Sequence, residues 1–392
     1  MDRRTFIRAG MLTAGSTATA GMCQTAPREE KAAGPQEKAG MKYRALGRTG
    51  LEVSEVCFGT YGWQDSPVLE AAIASGVNLV CTCSDYQDGA AERAIAPSVA
   101  KHRDSLAVLS GLDCFRSPGE QEMLERLDIS LENLGTGYLD FWVPHQADTV
   151  ENVADPAIPR AFEKMKKAGK ARHLGISTHS KDLEAMLNRA IDLGYYELIL
   201  CKYNFMEYTS QMEIFERAAE KGIGVIVFKV RAGARESEVE ALQKKGLELG
   251  QARVRWALSN PNVSSVCAHF SNFSAVDSYL EAVSKQLSLG DARLIEDYRR
   301  AFASRYCRSC GTCAGRCPHG VDVAGVMRYH MYFKYYGFEK EAMARYAALP
   351  QGSRPLACSD CPAPCEAACP HGLSTRRNLV EAAELLAAPR QT

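Results

Sequence analysis

The chain has 392 residues, 46 % of them apolar, and its 47 basic and 47 acidic side chains balance to a formal net charge of zero. That length fits one large domain with something added, and the balance of charge argues against a nucleic-acid or other polyanionic partner. Fifteen cysteines is a high count, and eight of them fall between Cys307 and Cys369, a clustering that points to metal rather than to a disulfide framework.

The first residues, "MDRRTFIRAGMLTAGSTATAG", place Arg3 and Arg4 before Thr5, Phe6 and Ile7, then run into a mildly apolar stretch. This resembles a twin-arginine export signal, expected over residues 1–23. The run is too short and too weakly apolar to span a bilayer. Ala18, Thr19 and Ala20 form a small-residue cleavage site, while Cys23 is an alternative lipidation site that Ala20 and Met22 suit poorly. An ordinary basic amphipathic N-terminus is the remaining alternative. Residues 24–40, polar with Pro and Gly, read as a linker. The expected location is the periplasm or cell envelope, reached in the folded state, with membrane contact only through export or a lipid anchor at Cys23.

From residue 41 to residue 292 short apolar runs alternate with amphipathic stretches. Eight runs read as strands: "SEVCFG", "VNLVCTC", "LAVLSG", "LDFWV", "ARHLGIS", "LILCKY", "GVIVFKV" and "VSSVCA". Helices lie between them, such as "EQEMLERLDISLENLG", stopped at Gly135, and "SKDLEAMLNRAIDLG", with Ser180 as N-cap and Gly194 beyond its end. Eight such units predict a (β/α)₈ TIM barrel, whose functional residues stand at the C-terminal ends of the strands.

Several of those positions carry a resemblance. "YRALGRTGLEVSEVCFGTYGW", "GVNLVCTCSDYQDGAAERAI", "YLDFWVPHQAD", "HLGISTH", "YNFME" and "GIGVIVFK" resemble, in order and spacing, the landmarks of the aldo/keto reductase family. More closely, the chain resembles the branch of that family with a C-terminal iron–sulfur tail. The resemblance implies a tetrad of Asp, Tyr, Lys and His beside a nicotinamide, with Tyr as proton donor, Lys paired to Asp to lower its pKa, and His orienting the substrate. Tyr86 matches the tyrosine and His145 the histidine. Cys81 stands at the Asp position and Gly111 at the Lys position, so the two interacting members are replaced. A free tyrosine titrates near pH ~10, far above the pH at which a proton donor works best. Without a cation beside it, Tyr86 lacks the main stabiliser of its phenolate. His145 remains able to donate a proton or polarise a carbonyl. Lys202 and Lys229, on later strands, are further sources of charge.

The cofactor implied by the resemblance is NADP(H), and its landmarks are thin. Ser177 stands at the Ser of the Ser-Asn pair, Thr178 at the Asn, and Leu200 near the Gln that would hold the nicotinamide amide. Phe228 takes the position that stacks on the nicotinamide. "CAHFSNFSAVDSYL" keeps a turn at Ser271 and Asn272 without cationic residues to grip a 2′-phosphate.

Residues 293–392 form the expected tail domain, small, mostly helical and ferredoxin-like. "CRSCGTCAGRCP" spaces Cys307, Cys310, Cys313 and Cys317 as C-x₂-C-x₂-C-x₃-C-P, the run of two-cluster ferredoxins. "CSDCPAPCEAACP" repeats it at Cys358, Cys361, Cys365 and Cys369 with one extra residue. One [4Fe–4S] cluster is expected on Cys307, Cys310, Cys313 and Cys369, the other on Cys317, Cys358, Cys361 and Cys365. Zinc prefers two ligand pairs with a long gap, and disulfides demand a geometry that so many neighbours cannot all satisfy. The segment between the two runs reads as two aromatic-rich helices that shield the clusters. Such clusters are assembled in the cytoplasm, which agrees with folded export.

The expectation is an exported iron–sulfur oxidoreductase that couples a barrel pocket to an external one-electron carrier, its small-molecule substrate unknown. The alternatives are a degenerate barrel serving as binding scaffold or electron-transfer module, and a protein whose clusters are only structural. "CTC" at Cys81–Cys83 remains open between core thiols, a metal site and a redox pair, because strand residues two apart share one face.

Overall fold

Every apolar run of the barrel segment becomes a strand. A computed structural model of the chain describes residues 40–62, 66–180, 182–207, 211–232, 249–303, 307–336 and 338–387. The expected export signal, Cys23 and all but the last linker residue lie outside the described residues. No helix among the described residues is long and apolar enough to cross a membrane.

The chain opens with a hairpin, β1 (Tyr43–Ala45) and β2 (Glu52–Ser54). Then come β3 (Val56–Gly59), β4 (Leu79–Cys81), β5 (Ala107–Asp113), β6 (Leu139–His145), β7 (Ala171–Thr178), β8 (Leu198–Lys202), β9 (Gly224–Phe228) and β10 (Ser265–His269). These eight are parallel, pair in sequence order and close as β10 meets β3. Side chains alternate across the sheet with period two. Phe141 and Val143 of β6 face the interior with Leu109 and Ile226, whereas Trp142 faces the helices. Val53 of β2 and Leu46, just after β1, join the interior cluster and help fill the barrel's N-terminal end. Arg44 fixes the hairpin there by donating to the carbonyls of Leu258, Asn260 and Val263.

The helix Glu120–Leu134 ends at Gly135 with φ 63°, as expected. The helix Leu183–Leu193 is capped by Asp182, not Ser180: the Asp182 carboxylate accepts from the Ala185 N–H. The Ser180 hydroxyl is engaged elsewhere, donating to the Asp148 carbonyl and accepting from the Asp182 N–H.

The tail is helical, with segments Leu289–Phe302, Val323–Met331, Glu339–Ala347, Pro364–Ala367 and Thr375–Leu386. Its first helix runs straight through residue 292, and a capping box at Ser288 and Asp291 starts it. Asp291 also accepts two bonds from the Arg255 guanidinium, at 2.7 and 3.0 Å, and both residues are buried. This buried pair joins the tail's first helix to the helix before β10. Barrel residues Phe205, Met206 and Leu249 share one apolar cluster with Leu294, Tyr298, Val326 and Leu379, so barrel and tail form one unit.

Candidate active site and cysteine centres

A cavity of about 210 Å³ opens at the C-terminal end of the barrel. Its floor and walls come from the strand ends. Cys81, Tyr86, His145, Ser177 and Phe228 line it, as the sequence placed them. Gly111, Thr178, Ser271 and Asn272 do not. A Cβ at Gly111 would stand 1.7 Å from the Val143 carbonyl oxygen, because β5 and β6 approach closely there. A lysine at that position is therefore sterically excluded. The Thr178 hydroxyl is held by Asp148 at 3.0 Å, and Asn272 caps the helix Phe273–Ser284 through the Ala275 N–H.

Tyr86 sits in a turn in which Gln87, Asp88 and Gly89 all have positive φ, at 48°, 52° and 77°. That run of left-handed backbone projects the phenol across the cavity toward His145, with ring centroids 6.0 Å apart. Burial, reinforced by Cys83, Cys267 and Asp113, pushes the Tyr86 phenol well above its ordinary value. His145 ends β6 in register with Asp113 of β5. It is 4 % exposed, its Nε2 has no hydrogen-bond partner among the described residues, and burial lowers its pKa to about 4. It is a neutral imidazole at physiological pH. Asp113 also lines the cavity, and burial raises its carboxyl.

The C-x-C resolves into two different surroundings. The thiols of Cys57, Cys81 and Cys267, on β3, β4 and β10, all lie within 4.8 Å of one another, with Cys57 and Cys81 at 3.6 Å. Cys83 sits instead with Asp85 and Asp113. Cys201 of β8 packs in the outer core against the helices.

The roof of the cavity comes from the tail, which the sequence did not anticipate. Arg328, Tyr332, Tyr336, Phe338 and Arg345 all line it. The aromatic segment between the cysteine runs thus faces the barrel mouth as well as the cysteines. Tyr61, in the loop after β3, donates a hydrogen bond to Glu341 and stacks edge-on against both Tyr86 and Phe338. Lys229, just after β9, donates to the Tyr332 hydroxyl at 3.0 Å and lies 3.1 Å from His179 Nδ1. Lys202 is buried elsewhere, 3.8 Å from Glu207.

In the tail, Cys307, Cys310, Cys313 and Cys369 line one small cavity together with Ala324 and Met327. Cys358 and Cys365 each lie close enough to Cys317 and Cys361 to feel their charge. Burial and these neighbours push the Cys358 thiol up to about 11, and Cys313 feels Cys365 across the two sets. The thiols of a single tetrahedral ion would stand about 3.8 Å apart at the usual Zn–S length. Among the described residues, none of these eight belongs to a group of three or more ligand atoms all within 4.8 Å of one another. Ser309 and Ala363, inside the two cysteine loops, hold positive φ at 53° and 55°. Backbone strain of that kind collects at functional sites.

The family model described as Aldo/keto reductase family matches residues 55–299. Versiconal hemiacetal acetate reductase of Aspergillus parasiticus is 25 % identical over 300 residues, covering 57 % of this chain and 87 % of that one. L-galactose dehydrogenase of Arabidopsis thaliana is 25 % identical over 290 residues, covering 64 % and 90 %. Among solved structures, the aldo-keto reductase AKR11C1 from Bacillus halodurans, in its holo form, superposes with a TM-score of 0.55 at 21 % identity, covering 66 % of this chain and 96 % of that one.

Proposed function

Because the chain belongs to the aldo/keto reductase family, we propose that it is an oxidoreductase whose barrel cavity exchanges electrons with two [4Fe–4S] clusters held by its own tail. The observation that carries this reading is a single helix. On Val323–Met331 and the π-turn Tyr332–Tyr336 that continues it, Ala324 and Met327 face the cavity of Cys307, Cys310, Cys313 and Cys369. Arg328, Tyr332 and Tyr336 of the same element face the barrel cavity. Ser309, beside Cys310, also borders a cleft shared with Lys229, His179 and Arg328. Cysteine centre and barrel cavity are therefore separated by one helix.

The donor sets suit iron–sulfur clusters. Cys307, Cys310 and Cys313 share a cavity with Cys369, and Cys317 neighbours Cys358 and Cys365, an alternation between the two sequence runs like that of two-cluster ferredoxins. Bound there, the clusters supply one-electron steps. The barrel's own residues bind and orient: neutral His145 presents an unpaired nitrogen to the cavity, and Tyr61 with Phe338 narrows its mouth.

A nicotinamide dinucleotide fits less well. Sites for drug-sized ligands and cofactors span ~300–1,000 Å³, and the cavity holds about 210 Å³ with tail residues across its mouth. The Thr178 hydroxyl is engaged with Asp148, and Leu200 offers no polar atom at the amide position.

The twin-arginine-like N-terminus supports folded export to the cell envelope, where an external electron carrier would be the partner. A barrel that has lost its chemistry and serves only electron transfer is the second reading, favoured by the replacement of Asp and Lys at Cys81 and Gly111. Anaerobic reconstitution tests the proposal: we expect about eight iron atoms per chain, falling to about half in Cys313→Ala. A chain that takes up no iron, or binds a single zinc per cysteine set, would refute it.

A further inference from the structure

Of the tyrosines that line the cavity, Tyr86 and Tyr332 stand on opposite sides of it. Tyr86 occupies the position that the family pattern gives to the proton donor, and no cationic group among the described residues figures among the causes of its shift. Tyr332, on the tail, has what Tyr86 lacks. Lys229 Nζ donates to its hydroxyl at 3.0 Å and also lies 5.2 Å above its ring. Behind Lys229, His179 Nδ1 lies at 3.1 Å; burial and then Lys229 hold this imidazole neutral, so Nδ1 accepts from the ammonium.

The backbone supports the same placement. Lys229 has φ 58°, a left-handed conformation that costs a non-glycine residue ~1–3 kcal/mol and persists where surrounding structure enforces it. The Asn204 amide donates to the Lys229 carbonyl there. Tyr332 opens the π-turn Tyr332–Tyr336, a wide turn of the sort that recurs at functional sites. One irregularity aims the cation and the other aims the phenol.

Resting on the reading of the cavity as a redox site, we propose that Tyr332, positioned by Lys229, is its proton-transfer group, and that it serves an anionic carbonyl compound whose charge meets Arg328. Arg328 lines the cavity and has no hydrogen-bond or ion-pair partner among the described residues, whereas Arg345 is paired with Glu341 at 2.7 Å. Reduction of the carbonyl to the alcohol takes two electrons, one supplied by each [4Fe–4S] cluster, and two protons. The Tyr332 O–H bond breaks and its proton passes to the substrate oxygen, while the second proton, which forms the new C–H bond, comes from water. The O–H pair stays on the phenolate, which the Lys229 ammonium neutralises. In the reverse direction the phenolate takes the proton back from the alcohol.

The groups that face Tyr332 set its acidity. Lys229 and His179 approach from the barrel loops, Arg328 from its own helix, Arg345 from the next, and Tyr61 with Glu341 across the mouth. Burial alone would raise the Tyr332 phenol, but Lys229, with Arg328 and Arg345, overcomes it and holds the phenol below the usual tyrosine range. Tyr86, Tyr61 and Tyr196 all move upward by burial. Tyr332 moves the opposite way, so an early-forming tyrosinate is assigned to it by its loss in Tyr332→Phe.

Ultraviolet difference titration of the full-length protein tests this without a known substrate. We expect one phenol to ionise below the ordinary tyrosine range, to vanish in Tyr332→Phe, and to move to higher pH in Lys229→Met, which leaves the tail sequence intact. If no such phenol exists in the wild type, or if it persists in Tyr332→Phe, the proton-transfer assignment is overturned. Pyruvate serves as the anionic probe: it should stabilise the wild type against heat, and about tenfold more should be needed in Arg328→Gln. Absence of an effect on the wild type, or equal binding by Arg328→Gln, overturns the anionic-substrate part. Iron counted on the same samples separates the two readings. An early phenol without iron removes the clusters and keeps Tyr332 as the acidic group, whereas iron without an early phenol does the reverse.

Discussion

The floor and the roof of the cavity are built by different parts of the chain and differ in charge. The floor, made by barrel strand ends, holds buried Cys81 and His145 with half-buried Tyr86, all three neutral at physiological pH. The roof, made by the tail with Lys229 below it, holds Arg328, Tyr332 and Arg345. Tyr86 and Tyr332 face the same space, yet burial drives one phenol up while Lys229 draws the other down. The lesson is that acidity follows the neighbouring charge rather than the position in a family pattern. Both parts of the molecule supply that charge: Lys229 comes from the barrel, and Arg328 with Arg345 from the tail that carries the cysteine runs.

Trying to restore charge to the floor gives the largest expected effect. Gly111→Lys puts a Cβ against the Val143 carbonyl, so we expect a loss on the order of 5 kcal/mol or failure to fold. A stable variant in urea denaturation would show that β5 and β6 separate easily and that the floor can accept a lysine. Detaching the roof comes next. Asp291→Ala leaves the buried Arg255 guanidinium without its partner and should cost about 3–5 kcal/mol in thermal or urea unfolding.

Acid sharpens the contrast from the floor side. His145 has a folded pKa of about 4 against an ordinary 6.5. Between those values the unfolded chain binds a proton that the folded chain refuses. Stability therefore falls as the pH drops through that window and levels off below it, by about 3 kcal/mol. Urea melts of the wild type and His145→Gln across the window isolate this share, and parallel curves would mean that His145 is hydrated. The smallest effect lies at the mouth: Tyr61→Phe removes the hydrogen bond to Glu341 and should cost about 1 kcal/mol by the same melts.

The fold was legible because its signal is local. All eight apolar runs became barrel strands, since alternation and the turn residues between them act within a few positions. The cysteine spacing was legible for the same reason. Errors at the next level were also local: Ser180 and Asp182 both have capping side chains, and only the Ser180–Asp148 contact, made across the fold, decides between them. Gly111 aligned with a lysine, but the closeness of β6 that forbids a side chain there is a tertiary fact. The roof was hidden most deeply. Lys229 and Tyr332 stand 103 positions apart, and nothing in either segment's periodicity says that they meet. The aromatic richness of "YHMYFKYYGF" was a visible sign, read only as cover for the cysteines.

The central claim is that the tail gives the barrel cavity its redox partner. Anaerobic reductive titration of the intact, iron-loaded protein tests it most directly. The account predicts charge-transfer absorbance that bleaches reversibly with about two electrons per chain, one for each cysteine set. Absorbance that does not bleach, or a protein that folds and melts identically without iron, would contradict it.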